Sequence, residues 1–142
     1  MPLLVATVGL PRSGKSTILR QMSKNLGAPI VSRDAIRLAL HTHHYIPEAE
    51  PFTRAIYKCM IVALFEAGHE IVLADETHYS RAARQFVSDG PWETRFLIVP
   101  TPPEVCLSRA ADTEQPWLFN VIPEMVARYE PLGPDEKEYT NE

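Results

Sequence analysis

The chain has 142 residues and a formal net charge of −4, with 45% hydrophobic and 23% charged residues. That composition excludes a disordered chain and leaves room for one folded core, with no second catalytic domain. No apolar run approaches the ~18 residues of a membrane-spanning helix, and Met1-Pro2-Leu3-Leu4-Val5 has neither the positive flank nor the cleavage site of a signal peptide, so a cytoplasmic protein is expected.

Residues 3–8 are almost continuously apolar and predict a strand buried on both faces. Residues 9–14 form a turn-rich loop. Residues 16–26 predict a helix with Ile18, Leu19, Met22 and Leu26 on one face and Gly27 as its stop. Pro29-Ile30-Val31 predicts a second strand, and Ser32 the cap of a helix carrying Asp34, Ile36, Arg37, Ala39 and Leu40. After a polar loop over 41–50, Phe52, Ala55, Ile56, Cys59, Met60, Ala63, Leu64 and Ala67 repeat at the spacing of a buried helix face, closed by Gly68. Ile71-Val72-Leu73-Ala74 predicts a strand ending at Asp75. Residues 80–88 predict a short helix with Arg81 and Arg84 on its exposed face, and residues 96–99 a fourth strand. Thr101-Pro102-Pro103-Glu104 predicts a capping box at the start of the next helix. A short lid is expected at about 110–117, a helix over about 118–130 that Pro123 must start, kink or split, and a loosely held acidic tail over 131–142. Cys59 and Cys106 both read as reduced core residues. Strands alternating with helices predict a single α/β domain over 1–142, a three-layer sandwich with a mostly parallel central sheet.

Charge is unevenly spread. Residues 1–58 carry eight Lys/Arg against three acids, whereas residues 59–130 carry five Arg against eleven acids. A basic N-terminal part on an acidic whole suits local phosphate binding better than broad coating of a duplex.

Gly9-Leu10-Pro11-Arg12-Ser13-Gly14-Lys15-Ser16-Thr17 satisfies G-x-x-x-x-G-K-[ST] between a predicted strand and a predicted helix. Glycines let successive backbone N–H groups point inward as an anion nest, and the helix N-terminus adds partial positive charge. Lys15 can reach the β- and γ-phosphates of ATP, and the Ser16 hydroxyl can ligate Mg²⁺. Asp75, at a strand end, is the candidate acid for the metal's surroundings, with Glu76 a second. Asp34 and Arg37 share a helix face. They suit a base and a clamp for an acceptor's phosphate, although by spacing alone a surface ion pair is the commoner meaning.

The segments Gly9 to Thr17, Ile30-Val31-Ser32-Arg33-Asp34-Ala35-Ile36-Arg37, Ile71 to His78 and Arg128-Tyr129-Glu130-Pro131 together resemble the bacteriophage-type polynucleotide 5′-kinase domain, a small P-loop kinase family, over about residues 3–132. The resemblance implies a P-loop kinase fold, ATP and Mg²⁺ as cofactors, and transfer of the γ-phosphoryl group to a hydroxyl, with the 5′-OH of a nucleic acid as the expected acceptor. It implies nucleotide binding by Gly9, Arg12, Ser13, Gly14, Lys15, Ser16 and Thr17, metal handling by Ser16 and Asp75, and catalytic roles for Lys15, Asp34, Arg37 and Arg109. Many relatives have Asp-x-Thr-Asn where this chain has Asp75-Glu76-Thr77-His78. Family lids carry two arginines, but here none follows Arg109 before Arg128, so Arg12 or Arg109 is left to stabilise the transferred charge. A kinase acting on a small-molecule hydroxyl (nucleoside, sugar nucleotide or antibiotic) and a non-catalytic nucleotide-binding module are the alternatives. His41, His43 and His44 read as a solvated loop, with metal binding or an acceptor path as alternatives. Trp92 and Trp117 read as packing residues, and Tyr45 as a weak stacking candidate.

Overall fold

A computed structural model describes residues 1–41, 46–113 and 115–140. In chain order the elements are β1 (Leu3–Val8), α1 (Lys15–Leu26), β2 (Ile30–Ser32), α2 (Arg33–His41), a 3-10 turn (Pro47–Ala49), α3 (Glu50–Glu66), β3 (Ile71–Asp75), α4 (Arg81–Ser88), β4 (Glu93–Ile98), α5 (Pro103–Asp112), α6 (Leu118–Arg128) and β5 (Lys137–Glu138). The strands form one sheet in the order β2-β3-β1-β4-β5, and every neighbouring pair is parallel. β1 lies at its centre, with Leu3 opposite both Ile71 and Glu93.

Side chains alternate across β1 as strand geometry requires. Leu4, Ala6 and Val8 pack with Tyr57 and Ile61 of α3 and Val87 of α4. Val5 packs on the opposite face with Leu19 and Met22 of α1. Helices therefore cover both faces, which is why β1 and β3 read as continuous apolar runs. A third cluster, Leu10, Cys106, Ala110, Leu118 and Ile122, fastens α5 and α6 beside the loop that follows β1. The three-layer α/β sandwich is the architecture expected from the sequence.

Local details depart from expectation for physical reasons. The α3 face is turned by about one residue: Thr53, Tyr57 and Ile61 are buried, whereas Phe52 is 70% exposed and Cys59 and Met60 face outward. Polar partners set this rotation. The Thr53 hydroxyl donates to the Glu50 carbonyl at 3.1 Å, and the Tyr57 hydroxyl reaches His78 Nε2 at 3.3 Å. Cys59 is thus not a core residue, although Cys106 is. Ile18 and Leu26 of α1 are also partly exposed, and Leu19 and Met22 carry that helix's buried contact. No capping box forms at Thr101; its hydroxyl donates instead to the Ser13 carbonyl at 2.6 Å, tying the start of α5 to the glycine loop. Helix α6 continues through Pro123, which is exposed.

Residues 131–140 are anchored, not loose, and Arg84 is fully buried, not on an exposed face. Its guanidinium donates to the carbonyls of His78 (3.0 Å), Tyr79 (3.2 Å) and Pro131 (3.3 Å) and pairs with Glu136 at 2.7 Å. Arg81 pairs with Asp135 at 2.6 Å, and the Tyr139 N–H reaches the Phe96 carbonyl at 2.8 Å. A buried arginine needs a counter-charge, and the acidic tail supplies it.

Removing that counter-charge has a measurable cost. Glu136→Gln leaves the buried guanidinium without its partner and is expected to destabilise the fold by about 3 kcal/mol; urea unfolding checks it, and a change below about 0.5 kcal/mol, the level of an ordinary surface substitution, refutes it. Burial pushes the Glu136 carboxyl up, but the hydrogen bonds from Arg84 and the Gly133 N–H hold it below the usual carboxylate range. The stability it contributes is therefore present above the unfolded carboxylate pKa and is lost as pH falls through the lower folded value.

Candidate active site

The parallel sheet sends the C-terminal ends of β1, β2, β3 and β4 to one edge, the usual place for a site in open α/β sheets. β1 runs into the loop Gly9–Thr17. Two positions there require glycine. Gly14 has φ +95, and a Cβ on Gly9 would meet Ser13 Oγ at 2.8 Å and Val99 Cβ at 3.2 Å. Arg12 also lies at positive φ (66), and the Ser13 N–H closes on the Leu10 carbonyl at 3.1 Å. The first turn of α1 then presents its free N–H groups to the cleft, where an anion is favoured. Lys15 is buried and folds over the loop, Nζ donating to the Leu10 carbonyl at 3.3 Å. The Ser13 hydroxyl is buried with no hydrogen-bond partner, so a polar group remains for an anion to satisfy.

β3 brings Asp75 against this loop. Ser16 Oγ donates to Asp75 Oδ2 at 2.6 Å. Burial raises the Asp75 pKa, opposed by the Ser16 hydrogen bond and the charge of Lys15. A hydroxyl and a carboxylate within one hydrogen bond are the hard oxygen donors that Mg²⁺ takes, and a Mg²⁺ held with few protein ligands relies on nucleotide oxygens and water for the rest. The residues present fit that ion. No group of three or more His, Cys, Asp or Glu side chains placed to hold a metal ion is found among the described residues, so a self-sufficient metal cage is not built there.

The second half of the cleft is made by α2 and the start of α3. Ser32 caps α2, accepting from the Ala35 N–H at 3.2 Å. Asp34 projects outward, its side chain 68% exposed, and contacts Arg37 Nη1 at 2.7 Å. Arg37 is 11% exposed, and Glu50 takes its fork in two contacts, Nη2 at 2.6 Å and Nε at 3.0 Å. Arg33 also reaches Glu50, at 3.1 Å. Glu76, second candidate for the metal, points elsewhere: its Oε2 lies 3.4 Å from Arg33 and 3.5 Å from Arg37. Burial pushes the Glu76 carboxyl up, but the charges of Arg37 and Arg33 and the Thr77 N–H leave it below the usual range. Burial likewise opposes the charge of Glu50, and the Arg37 hydrogen bond, the charges of Arg37 and Arg33 and the Thr53 hydrogen bond together outweigh it.

Behind this network His78 is buried at positive φ (47), with Nδ1 2.6 Å from the Thr7 carbonyl. Nδ1–H donates there, which leaves Nε2 to accept from the Tyr57 hydroxyl. Burial lowers the His78 pKa, so the ring is neutral. It ties the turn after Glu76 to β1 and α3.

One cavity of about 1070 Å³ joins both halves. Arg12, Ser13, Gly14, Lys15, Ser16, Thr17, Asp34, Arg37, Asp75 and Arg109 all line it. Gly9 does not; it allows close packing beneath the loop. Arg109 Nη1 donates to the Arg12 carbonyl at 3.0 Å, which holds the lid-side arginine at the loop. Trp117 and Arg128, from the α6 side, also line it. Trp92 is a packing residue, stacked on Phe65 with ring centroids 4.9 Å apart. His43, His44 and Tyr45 lie outside the described residues. Sequence reasoning passed over Glu50, Thr53 and the Arg33–Glu50 contact, because nothing in the spacing of residues 46–53 points back to α2.

Known proteins bear on this geometry. A family model described as an AAA domain matches residues 4–132. A search of curated proteins finds no match. Among solved structures, an unliganded sugar kinase from Janibacter sp. HTCC2649 is 22% identical with a TM-score of 0.70, over 98% of this chain and 84% of that one. The Mycobacterium tuberculosis APS kinase CysC, in complex with AMPPNP and APS, is 17% identical with a TM-score of 0.69, over 99% of this chain and 90% of that one. A chain of the Pnkp1/Rnl/Hen1 complex is 25% identical with a TM-score of 0.68, over 76% of this chain and 38% of that one. The likeness to the sugar kinase and the APS kinase is one of fold, and the bacteriophage-type relationship is not singled out among these neighbours. The chain has the P-loop kinase fold, and with residues 4–132 matched it belongs to this AAA domain family.

Proposed function

We propose that the chain is an ATP-dependent phosphotransferase that moves the γ-phosphoryl group to the hydroxyl of a small polar acceptor. The observation that carries the reading is the single cavity holding the phosphate loop and the exposed Asp34 carboxylate. In this reading the loop N–H groups, Lys15 and the Ser13 and Thr17 hydroxyls hold the nucleotide phosphates. Ser16 and Asp75 would hold Mg²⁺, and the ion would supply charge neutralisation at the phosphates when bound. The acceptor oxygen attacks the γ-phosphorus, the bond to the bridging oxygen breaks, ADP leaves, and the hydroxyl proton passes to Asp34. Arg109, held at the Arg12 carbonyl, covers the loop, and its guanidinium or that of Arg12 meets the transferred charge.

The charge around Arg37 favours a small acceptor. Arg33 and Arg37 face three carboxylates, Asp34, Glu50 and Glu76, so this half of the cleft has no surplus positive charge for a polyanion. The 5′-OH of a nucleic acid is the second reading. It is favoured by the contact between Asp34 and Arg37, the pair that would hold a hydroxyl beside its phosphate, and by Arg12, Arg20 and Arg128, exposed along the same cleft.

Two variants test the reading. Lys15→Ala removes positive charge from the phosphates and should abolish phosphoryl transfer while leaving the melting temperature intact; unchanged turnover sinks the assignment. Asp34→Asn should keep ATP affinity by calorimetry and lose at least about a hundredfold in acceptor phosphorylation, the usual scale of a lost general base. A free nucleoside, a nucleoside 3′-monophosphate and a 5′-OH oligonucleotide, offered with radiolabelled ATP, separate the acceptor classes. Preference for the oligonucleotide, weakened by salt, would favour the nucleic-acid reading.

A further inference from the structure

Glu50 does more than neutralise an arginine. Its Oε1 accepts from Arg33 at 3.1 Å and from Arg37 at 2.6 Å, and its Oε2 accepts from Arg37 Nε at 3.0 Å. A carboxylate in the fork of a guanidinium fills the position that a phosphate would take, because both anions present two oxygens to two parallel N–H groups. The three side chains are 11–17% exposed, so water screens the contact weakly. Glu50 opens α3, Thr53 accepts from Arg33 Nε at 3.4 Å, and the Thr53 hydroxyl donates to the Glu50 carbonyl. The carboxylate is therefore held from several directions and is not a mobile surface acid.

We propose that Glu50 is a specificity-determining residue: it occupies the Arg37 fork and disfavours acceptors that carry a phosphate beside the reacting hydroxyl, leaving uncharged or cationic hydroxyl compounds as the acceptor class. The inference rests on the reading of the Asp34 side of the cleft as the acceptor side. An incoming phosphate at Arg37 would have to displace Glu50, or sit against Asp34 and Glu76 with Glu50 in place. Both routes cost free energy, because one set of N–H donors cannot serve two anions and like charges at contact repel. An acceptor without phosphate meets neither obstacle.

The test reads the arginine directly and needs no turnover. Inorganic phosphate is titrated into protein whose loop is filled with Mg²⁺ and a non-hydrolysable ATP analogue, and the Arg37 Nε–H resonance is followed by ¹⁵N NMR. Glu50→Gln and Glu50→Ala are compared with the wild type, each first checked for an unchanged melting temperature and analogue affinity. Phosphate is expected to bind at Arg37 at least tenfold more tightly in whichever variant passes that check, and adding Arg37→Ala should remove the gain in phosphate affinity, read from the phosphate ³¹P signal. Equal or weaker phosphate binding in that variant overturns the inference, as does a wild type that already binds phosphate there as tightly. Retained phosphorylation in Asp34→Asn would instead sink the acceptor-side reading, and the phosphate titration would still report on Glu50.

Discussion

Every strand in the sheet points the same way, and most of the chemistry follows from that constraint. Parallel pairing places Gly9, Ser32 and Asp75 at or just beyond the ends of adjacent strands β1, β2 and β3. Residues far apart in sequence thus share one edge. The strand core makes the placement rigid, since Leu4, Val5, Ala6, Leu73 and Ala74 are fully buried. A helix N-terminus, a strand-end acid and a helix-borne acid then meet without any long unsupported loop among the described residues.

Charge divides the cleft into two unlike halves. At the phosphate loop a lysine, backbone N–H groups and a helix N-terminus face one strand-end carboxylate, and a polyanion is welcome. On the other side two arginines are met by three carboxylates, two of them mostly buried. The ordered geometry of that second half stands independently of any ligand, because each arginine already has its partners. Under the proposed function, such preorganisation lowers the cost of positioning an acceptor.

The parts legible in the sequence were those encoded locally. The nine residues from Gly9 to Thr17 carry their own conformation, and Asp75 closes an apolar run that can only be a strand. Contacts between distant segments were not legible. Glu50 meets Arg37 across thirteen positions and a polar loop. Arg84 finds Glu136 fifty-two positions away, and without that partner an arginine in a short helix reads as surface and an acidic tail as slack. The α3 face was misread for the same reason: counting apolar residues favoured Phe52 and Met60, but Thr53 and Tyr57 turn inward to partners that sequence spacing does not reveal. The family resemblance supplied the fold correctly, and it supplied Arg37 as a clamp without the carboxylate that fills it.

Arg84 links two regions with no shared chemistry. Its guanidinium holds the carbonyls of His78 and Tyr79, three and four residues beyond Asp75, and the same group binds Glu136 just before the last strand. One side chain therefore ties the backbone behind the strand-end acids to the C-terminal segment, and such shared contacts favour opening as a unit. Peeling β5 from the sheet edge would withdraw the counter-charge, release the two carbonyls and slacken the turn that sets Glu76 against its arginines, so the outermost strand of the sheet helps to govern the order of its centre.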